Sequence, residues 1–113
     1  MRVARENAPM TDTPIRDNAA AHRFEKIVDR HAAVATYSLA GNVITFEHTV
    51  VPEALRGRGI ARELVEFALA SVRERGLKVV PQCEVFDAYM RKHPETHDLL
   101  ADPHQFDAAR PSE

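Results

Sequence analysis

The segment Val50-Val51-Pro52-Glu53-Ala54-Leu55-Arg56-Gly57-Arg58-Gly59-Ile60-Ala61 joins two stretches of different hydrophobic period, and the fold is read from that change. Before it, residues Val43 to Val50 are rich in β-branched side chains and alternate, which predicts a strand with Ile44, Phe46, His48 and Val50 on one face. After it, Ile60, Leu64, Phe67, Ala68 and Val72 recur at helical spacing, with Arg62, Glu63, Glu66, Arg73 and Glu74 between them. Gly76 is placed to end that helix in a left-handed cap. Leu77-Lys78-Val79-Val80 then reads as a short strand covered on both faces. Strand, helix and strand form a βαβ unit, whose crossover sets the two strands parallel.

Upstream, Arg23 to Val28 and Ala33 to Leu39 are strand candidates, and Ala40-Gly41-Asn42 is a hairpin signal leading into Val43. These three strands form an antiparallel meander. Downstream, Val85, Phe86, Tyr89 and Met90 outline a second helix that stops near His93-Pro94, and Leu99 and Leu100 dock a last turn. The predicted class is α+β: an antiparallel meander continued by one parallel strand, with helices packed on the sheet. Residues 1–21 read as a flexible lead-in, 22–101 as the domain and 102–113 as a tail.

The chain has 113 residues, enough for one domain. Its 15 basic and 17 acidic residues are balanced, so the basic face typical of nucleic-acid or acidic-membrane binding is not expected. A ferredoxin-like RNA-binding domain is disfavoured on the same ground and by the lack of a row of aromatics. Cys83 is the only cysteine, which excludes an intramolecular disulfide and fits a reducing compartment. No apolar run reaches the roughly 20 residues of a membrane span, and Arg2 and Arg5 are not followed by an apolar signal region. A cytoplasmic location is the expectation.

The joint itself is suited to an anion. Gly57 and Gly59 permit a tight bend and close approach of a ligand to the backbone. The first amides of the helix have no intrahelical acceptor, and the helix dipole adds to their attraction for negative charge. Arg56 and Arg58 supply guanidinium donors for phosphate oxygens. The alternative is a glycine-rich loop with solvated arginines. Neither a Walker sequence nor a Rossmann fingerprint is present.

Arg56-x-x-Gly59-x-Ala61, after a strand and opening an amphipathic helix, resembles the acyl-CoA pyrophosphate motif of the GCN5-related N-acetyltransferases (GNAT). His48-Thr49-Val50-Val51-Pro52, Gly76-Leu77-Lys78-Val79-Val80-Pro81-x-Cys83 and Tyr89-x-x-x-His93-Pro94-Glu95 extend the likeness from about Arg23 to Leu100. Together they resemble a compact single-domain GNAT subfamily, typified by the N-acetyltransferase domain-containing protein 1 group. The chain departs from that pattern at Val50, where an acidic residue is frequent, and at Glu84, where proline is frequent. Only Asp29-Arg30-His31-Ala32 separates the first two strands, so the helices that wall the acceptor site in other GNAT domains have no room. The acceptor side is then open, or completed by a partner such as a second copy in a homo-oligomer.

The resemblance implies that acetyl-CoA is the cosubstrate and an unidentified amine, free or on a protein, the acceptor. The pyrophosphate would lie on Arg56, Gly57, Arg58, Gly59, Ile60 and Ala61. The pantetheine arm would pair with the backbone of Val50 and Val51 as an added strand. His48, with an ordinary pKa of about 6.5, is the candidate base for the attacking amine, or else an inert half-buried histidine. Cys83 lines the thioester, acts as nucleophile, or is a small buried hydrophobe. Tyr89 falls where many GNAT domains carry the acid for the departing thiolate, or it is a core aromatic. Direct transfer is favoured over an acetyl-Cys83 intermediate, because Glu84 and Asp87 disfavour a thiolate. The alternative function is a CoA-binding module without turnover, acting as a sensor or interaction surface. No histidine spacing indicates a metal: Pro94 interrupts His93-Pro94-Glu95-Thr96-His97.

Overall fold

A computed structural model describes residues 14–107. Five strands form one sheet in chain order: β1 (Arg16–Asn18), β2 (Arg23–Val28), β3 (His31–Ala40), β4 (Val43–Val50) and β5 (Lys78–Pro81). Neighbours from β1 to β4 are antiparallel, and β5 runs parallel to β4. Helix α1 (Ile60–Glu74) makes the crossover, and α2 (Glu84–Arg91) follows β5. A 3-10 helix, Pro94–Leu99, then brings Leu100 beside Val79 in an isolated parallel bridge. The α+β class and the βαβ unit are as the sequence predicts.

Each turn has a local cause. Gly41 opens the two-residue β3–β4 hairpin at φ +61°, where a side chain would be strained. The β2–β3 hairpin places Asp29 and Arg30 at φ +51° and +70°, the two positive dihedrals of a type I′ turn. Gly76 caps α1 at φ +67°. Helix α1 buries Ile60, Leu64, Val65, Ala68, Leu69 and Val72. The predicted stripe named Phe67, which is 43% exposed and forms a T-shaped pair with Phe24. Val65 and Leu69 are buried instead, because α1 is covered by α2 as well as by the sheet. The core is completed by Phe46, whose ring stacks on Phe86 of α2 at 4.0 Å.

Two findings amend the sequence reading. Residues Arg16–Asn18 of the lead-in form the edge strand β1, which has no hydrophobic run to announce it. The rest of the lead-in up to residue 13, and residues 108–113 of the tail, lie outside the described residues. The second concerns β4. Thr36 pairs with His48 and Tyr37 with Phe46, so Glu47 is an extra residue, a β-bulge. Antiparallel partners share a face, and the bulge resets the alternation. Ile44 and Phe46 face the helices, whereas His48 and Val50 lie with Thr36 and Val34 on the opposite, helix-free face. Thr49, paired with the buried Ala35, takes the core side.

Polar contacts fasten the β1 edge. Tyr37 donates to Asp17 at 2.6 Å, and Arg75 at the end of α1 reaches the same carboxylate at 3.1 Å. Burial and the Asp17 carboxylate push the Tyr37 phenol up to about 12. Glu25 is buried and accepts from Arg16 at 2.8 Å, Arg23 at 2.9 Å and Asn18 at 3.3 Å. The Arg16 bond, assisted by Arg23 and Asn18 and opposed by burial, holds the Glu25 carboxyl below its ordinary range. A lowered folded pKa gives stability that is present above the unfolded value and is lost as pH falls through the folded one. Glu25→Gln is therefore expected to cost about 1–3 kcal/mol at neutral pH. It is also expected to flatten the acid limb of urea-unfolding stability measured from about pH 7 down to 3.

Candidate functional site

The site begins where β4 and β5 part. Their parallel register runs from Val43 opposite Lys78 to Phe46 opposite Pro81 and ends there. The N–H of Cys83 then donates to the carbonyl of Phe46 at 2.9 Å, and the chain turns into α2. Strand β4 continues to Val50 with β3 on one side and, among the described residues, no strand on the other. The result is a fork, with Phe46 and Cys83 at its vertex.

Thr49 closes the inner end of the fork: its hydroxyl lies 3.2 Å from the Cys83 sulfur. Cys83 is 6% exposed and forms the N-cap of α2. The alternation read from sequence assigned Thr49 no role, since without the bulge it lies on the face away from Phe46. A bulge has no signature in the sequence 46–49 itself, so this partner was not legible there. His48 stands beside the same fork on the other face, exposed, and no side-chain hydrogen bond among the described residues orients its ring. The fork thus sets Thr49 and Cys83 on its helix side and His48 on its open side.

The loop beyond β4 is anchored and yet exposed. A 3-10 turn, Glu53–Leu55, drops Leu55 into the core at 1% exposure. Arg56, Gly57, Arg58 and Gly59 remain on the surface before Ile60 is buried again. Gly57 and Gly59 have φ +82° and +75°, and a Cβ on either would meet nothing within 4 Å. Glycine is therefore required by dihedral angle, and the space in front of the loop is open. Among the described residues the amides of Gly57, Arg58, Gly59, Ile60, Ala61 and Arg62 have no acceptor within the chain. Gly59 is the N-cap of α1 and offers no side-chain cap. Arg58 approaches Asp29 of the β2–β3 turn at 3.7 Å, an exposed pair that leaves the amides uncovered. Consecutive free amides at a helix N-terminus, flanked by arginines, make this loop the candidate anion cradle.

Tyr89 lies on α2 with its hydroxyl turned toward α1. Its hydroxyl donates to Glu66 of α1 at 3.2 Å, and its ring stacks on His93 at 3.9 Å. Burial and then the Glu66 carboxylate raise its pKa, so it is a phenol at neutral pH. Glu66 is in turn held below the ordinary carboxylate range by Arg62, at 2.9 Å, with Tyr89 assisting. The structure brings Cys83 and the loop-bearing strand together, sets His48 across from them, and gives Tyr89 a partner the sequence reading did not name. Among the described residues no group of three or more His, Cys, Asp or Glu is arranged to hold a metal ion. No helix among them is long and apolar enough to cross a membrane.

The family described as GCN5-related N-acetyl-transferase matches residues 23–99, and the chain belongs to that family. Among curated relatives, Protein NATD1 of Gallus gallus, of Mus musculus and of Homo sapiens is each 40% identical to this chain over 63 residues. That match covers 55% of this chain and 57%, 57% and 56% of those proteins, so the chain spans little more than half the length of the relatives it matches.

The two loop glycines allow a test that needs no ligand. Gly59→Ala adds a methyl group in open space at a left-handed dihedral, so its cost is conformational. A loss of about 1–2 kcal/mol in urea unfolding is expected, with the far-UV spectrum unchanged.

Proposed function

We propose that the chain is an acetyl-CoA-dependent N-acetyltransferase acting on an amine that approaches from the helix-free face of the sheet. The observation that carries this reading is the unpaired β4 edge running directly into a row of free amides. The amides of Gly57–Arg62, with Arg56 and Arg58, would hold the diphosphate, since none of those amides has an acceptor among the described residues. Backbone groups of Val50 and Val51 would hydrogen-bond the pantetheine amides as a substitute strand, which places the thioester in the fork. Val50, 54% exposed at the strand end, gives that arm an apolar wall.

In this reading Thr49 and Cys83 line the thioester from the helix side, and His48 meets the acceptor from the other. The amine nitrogen forms a bond to the acetyl carbonyl carbon as the carbon–sulfur bond breaks. His48 takes the proton that the nitrogen sheds, and the thiolate of CoA takes a proton from Tyr89, which gives up its bond to Glu66 in the step. Tyr89 recovers its proton from solvent. Direct transfer is favoured over acetyl-Cys83, because the Cys83 sulfur faces a hydroxyl and Glu84 and Asp87 occupy the first turn of α2. A second reading, a CoA-binding module without turnover, is favoured because no side-chain hydrogen bond among the described residues orients His48.

A CoA-release assay over a panel of small amines and peptides decides between them. Turnover with at least one acceptor is expected. His48→Ala is expected to lower kcat by about 100-fold or more with CoA affinity kept within about twofold, and Tyr89→Phe to lower kcat. Cys83→Ser is expected to remain active. Absence of turnover with every acceptor, while CoA still binds, supports the module. Acetyl-Cys83 detected by mass spectrometry without acceptor overturns direct transfer.

A further inference from the structure

On the helix-free face of the sheet, strand register fixes what stands beside the exposed His48. Asn18 pairs with Arg23, Arg23 with Thr36 and Thr36 with His48, so these four residues form one row across that face. The neighbouring row is Arg16, Glu25, Val34 and Val50. Adjacent strands lie about 4.8 Å apart, which sets the backbones of Arg23 and His48 about 10 Å from each other. Only the short Thr36 stands between them, with its hydroxyl turned to the carbonyl of His48 at 3.4 Å. The interval has the size of a small molecule flanked by two side chains.

The Arg23 end of the row carries positive charge in excess. Buried Glu25 accepts from Nε of Arg16 at 2.8 Å and Nε of Arg23 at 2.9 Å, so two guanidinium groups share one carboxylate. Asp17, the acidic residue of β1, is engaged on the helix side by Tyr37 and Arg75. The Nε bond orients Arg23, whose terminal nitrogens have no acceptor among the described residues. Its side chain is 38% exposed. A guanidinium held in this way presents two parallel donors, the pattern that a carboxylate matches. At the other end Glu47, the bulged residue next to His48, brings a negative charge to where an ammonium group arrives. Val34 and the exposed Val50 make an apolar strip beside the row, and a cavity of about 410 Å³ lined by Pro14, Arg16, Glu25 and Ile27 opens beyond it. A polyamine fits poorly, since its second ammonium would lie against Arg23.

We propose that the acceptor is an α-amino acid with an apolar side chain, held by its carboxylate on Arg23, with its amino group at His48 and its side chain over Val34 and Val50. The proposal rests on the reading of the chain as an acetyltransferase with His48 as base, and it names the substrate class and the residue that selects it. The amino nitrogen bonds to the acetyl carbon as the carbon–sulfur bond breaks, its proton passes to His48, and the CoA sulfur takes a proton from Tyr89. The products are the N-acetylamino acid and CoA.

CoA release by the full wild-type chain with leucine, leucinamide and isoamylamine, which is leucine without its carboxylate, tests it. The kcat/KM for leucine is expected to exceed that for either analogue by about tenfold or more, the effect of a charge-assisted pair. Arg23→Gln is expected to lower kcat/KM for leucine about tenfold and to change the other two by less than about twofold, with Arg23→Lys intermediate for leucine. Thermal melting checks both variants, because Arg23 also bonds Glu25; the comparison of the three amines on wild-type protein needs neither. Calorimetric titration of leucine onto the protein with CoA bound adds a readout apart from turnover, and binding weakened by Arg23→Gln is expected. Leucinamide turned over as well as leucine, or turnover of peptides or polyamines alone, overturns the proposal and leaves the acetyltransferase reading standing. Leucine that binds without being acetylated overturns its role as acceptor, and if no other amine is acetylated the acetyltransferase reading falls with it.

Discussion

The N–H of Cys83, bonded to the carbonyl of Phe46, fixes the point at which two parallel strands stop being a sheet. Up to that bond, β4 is an interior strand with neighbours on both sides; beyond it, one edge is bare. Bare strand edges are ordinarily a liability that proteins cover or blunt. Here the edge is confined to the last residues of β4, and the bulge at Glu47 adds local twist just where the pairing ends. The Phe46–Phe86 stack holds the vertex rigid from beneath, so the fork is a fixed feature of the core packing. The candidate groups of the sheet are placed relative to it: Thr49 and Cys83 within, His48 across, and the glycine loop at its mouth.

The glycine loop depends on the same framework. Leu55 pins it to the core on one side and Ile60 on the other, and between them the chain makes a surface arch. Buried backbone amides must find acceptors, but amides on an exposed arch can be met by water. Gly57 and Gly59 take positive dihedrals there, and a Cβ on either would meet open space. Arginine on either side adds charge without occupying the arch, since Arg58 rests on Asp29.

The sequence was legible wherever a periodic signal ran the length of an element. Strand β2 and strand β4 have the predicted limits, α1 starts and ends at its glycines, and the change of period across 50–61 identified the crossover. What was not legible came from tertiary context. The bulge moved His48 and Val50 to the face opposite Phe46, because one inserted residue inverts an alternation that sequence alone must assume unbroken. Phe67 gave way to Val65 and Leu69, because the position of α2 decides which flank of α1 is covered. Strand β1 has the sequence Arg-Asp-Asn, and it forms through Glu25 on the next strand and Tyr37 on the one after. Within the site, the loop was legible from composition, whereas Thr49 and the Glu66 partner of Tyr89 were visible only in three dimensions.

The most direct test of the cradle and fork is residue-resolved amide NMR of uniformly ¹⁵N-labelled protein titrated with CoA. The largest amide shifts are expected at Gly57, Gly59, Ile60 and Ala61, with a second group at Thr49–Val51, both saturating at one equivalent. Shifts confined to other surfaces, or none at millimolar CoA, would contradict the assignment of these amides as the ligand's principal hold.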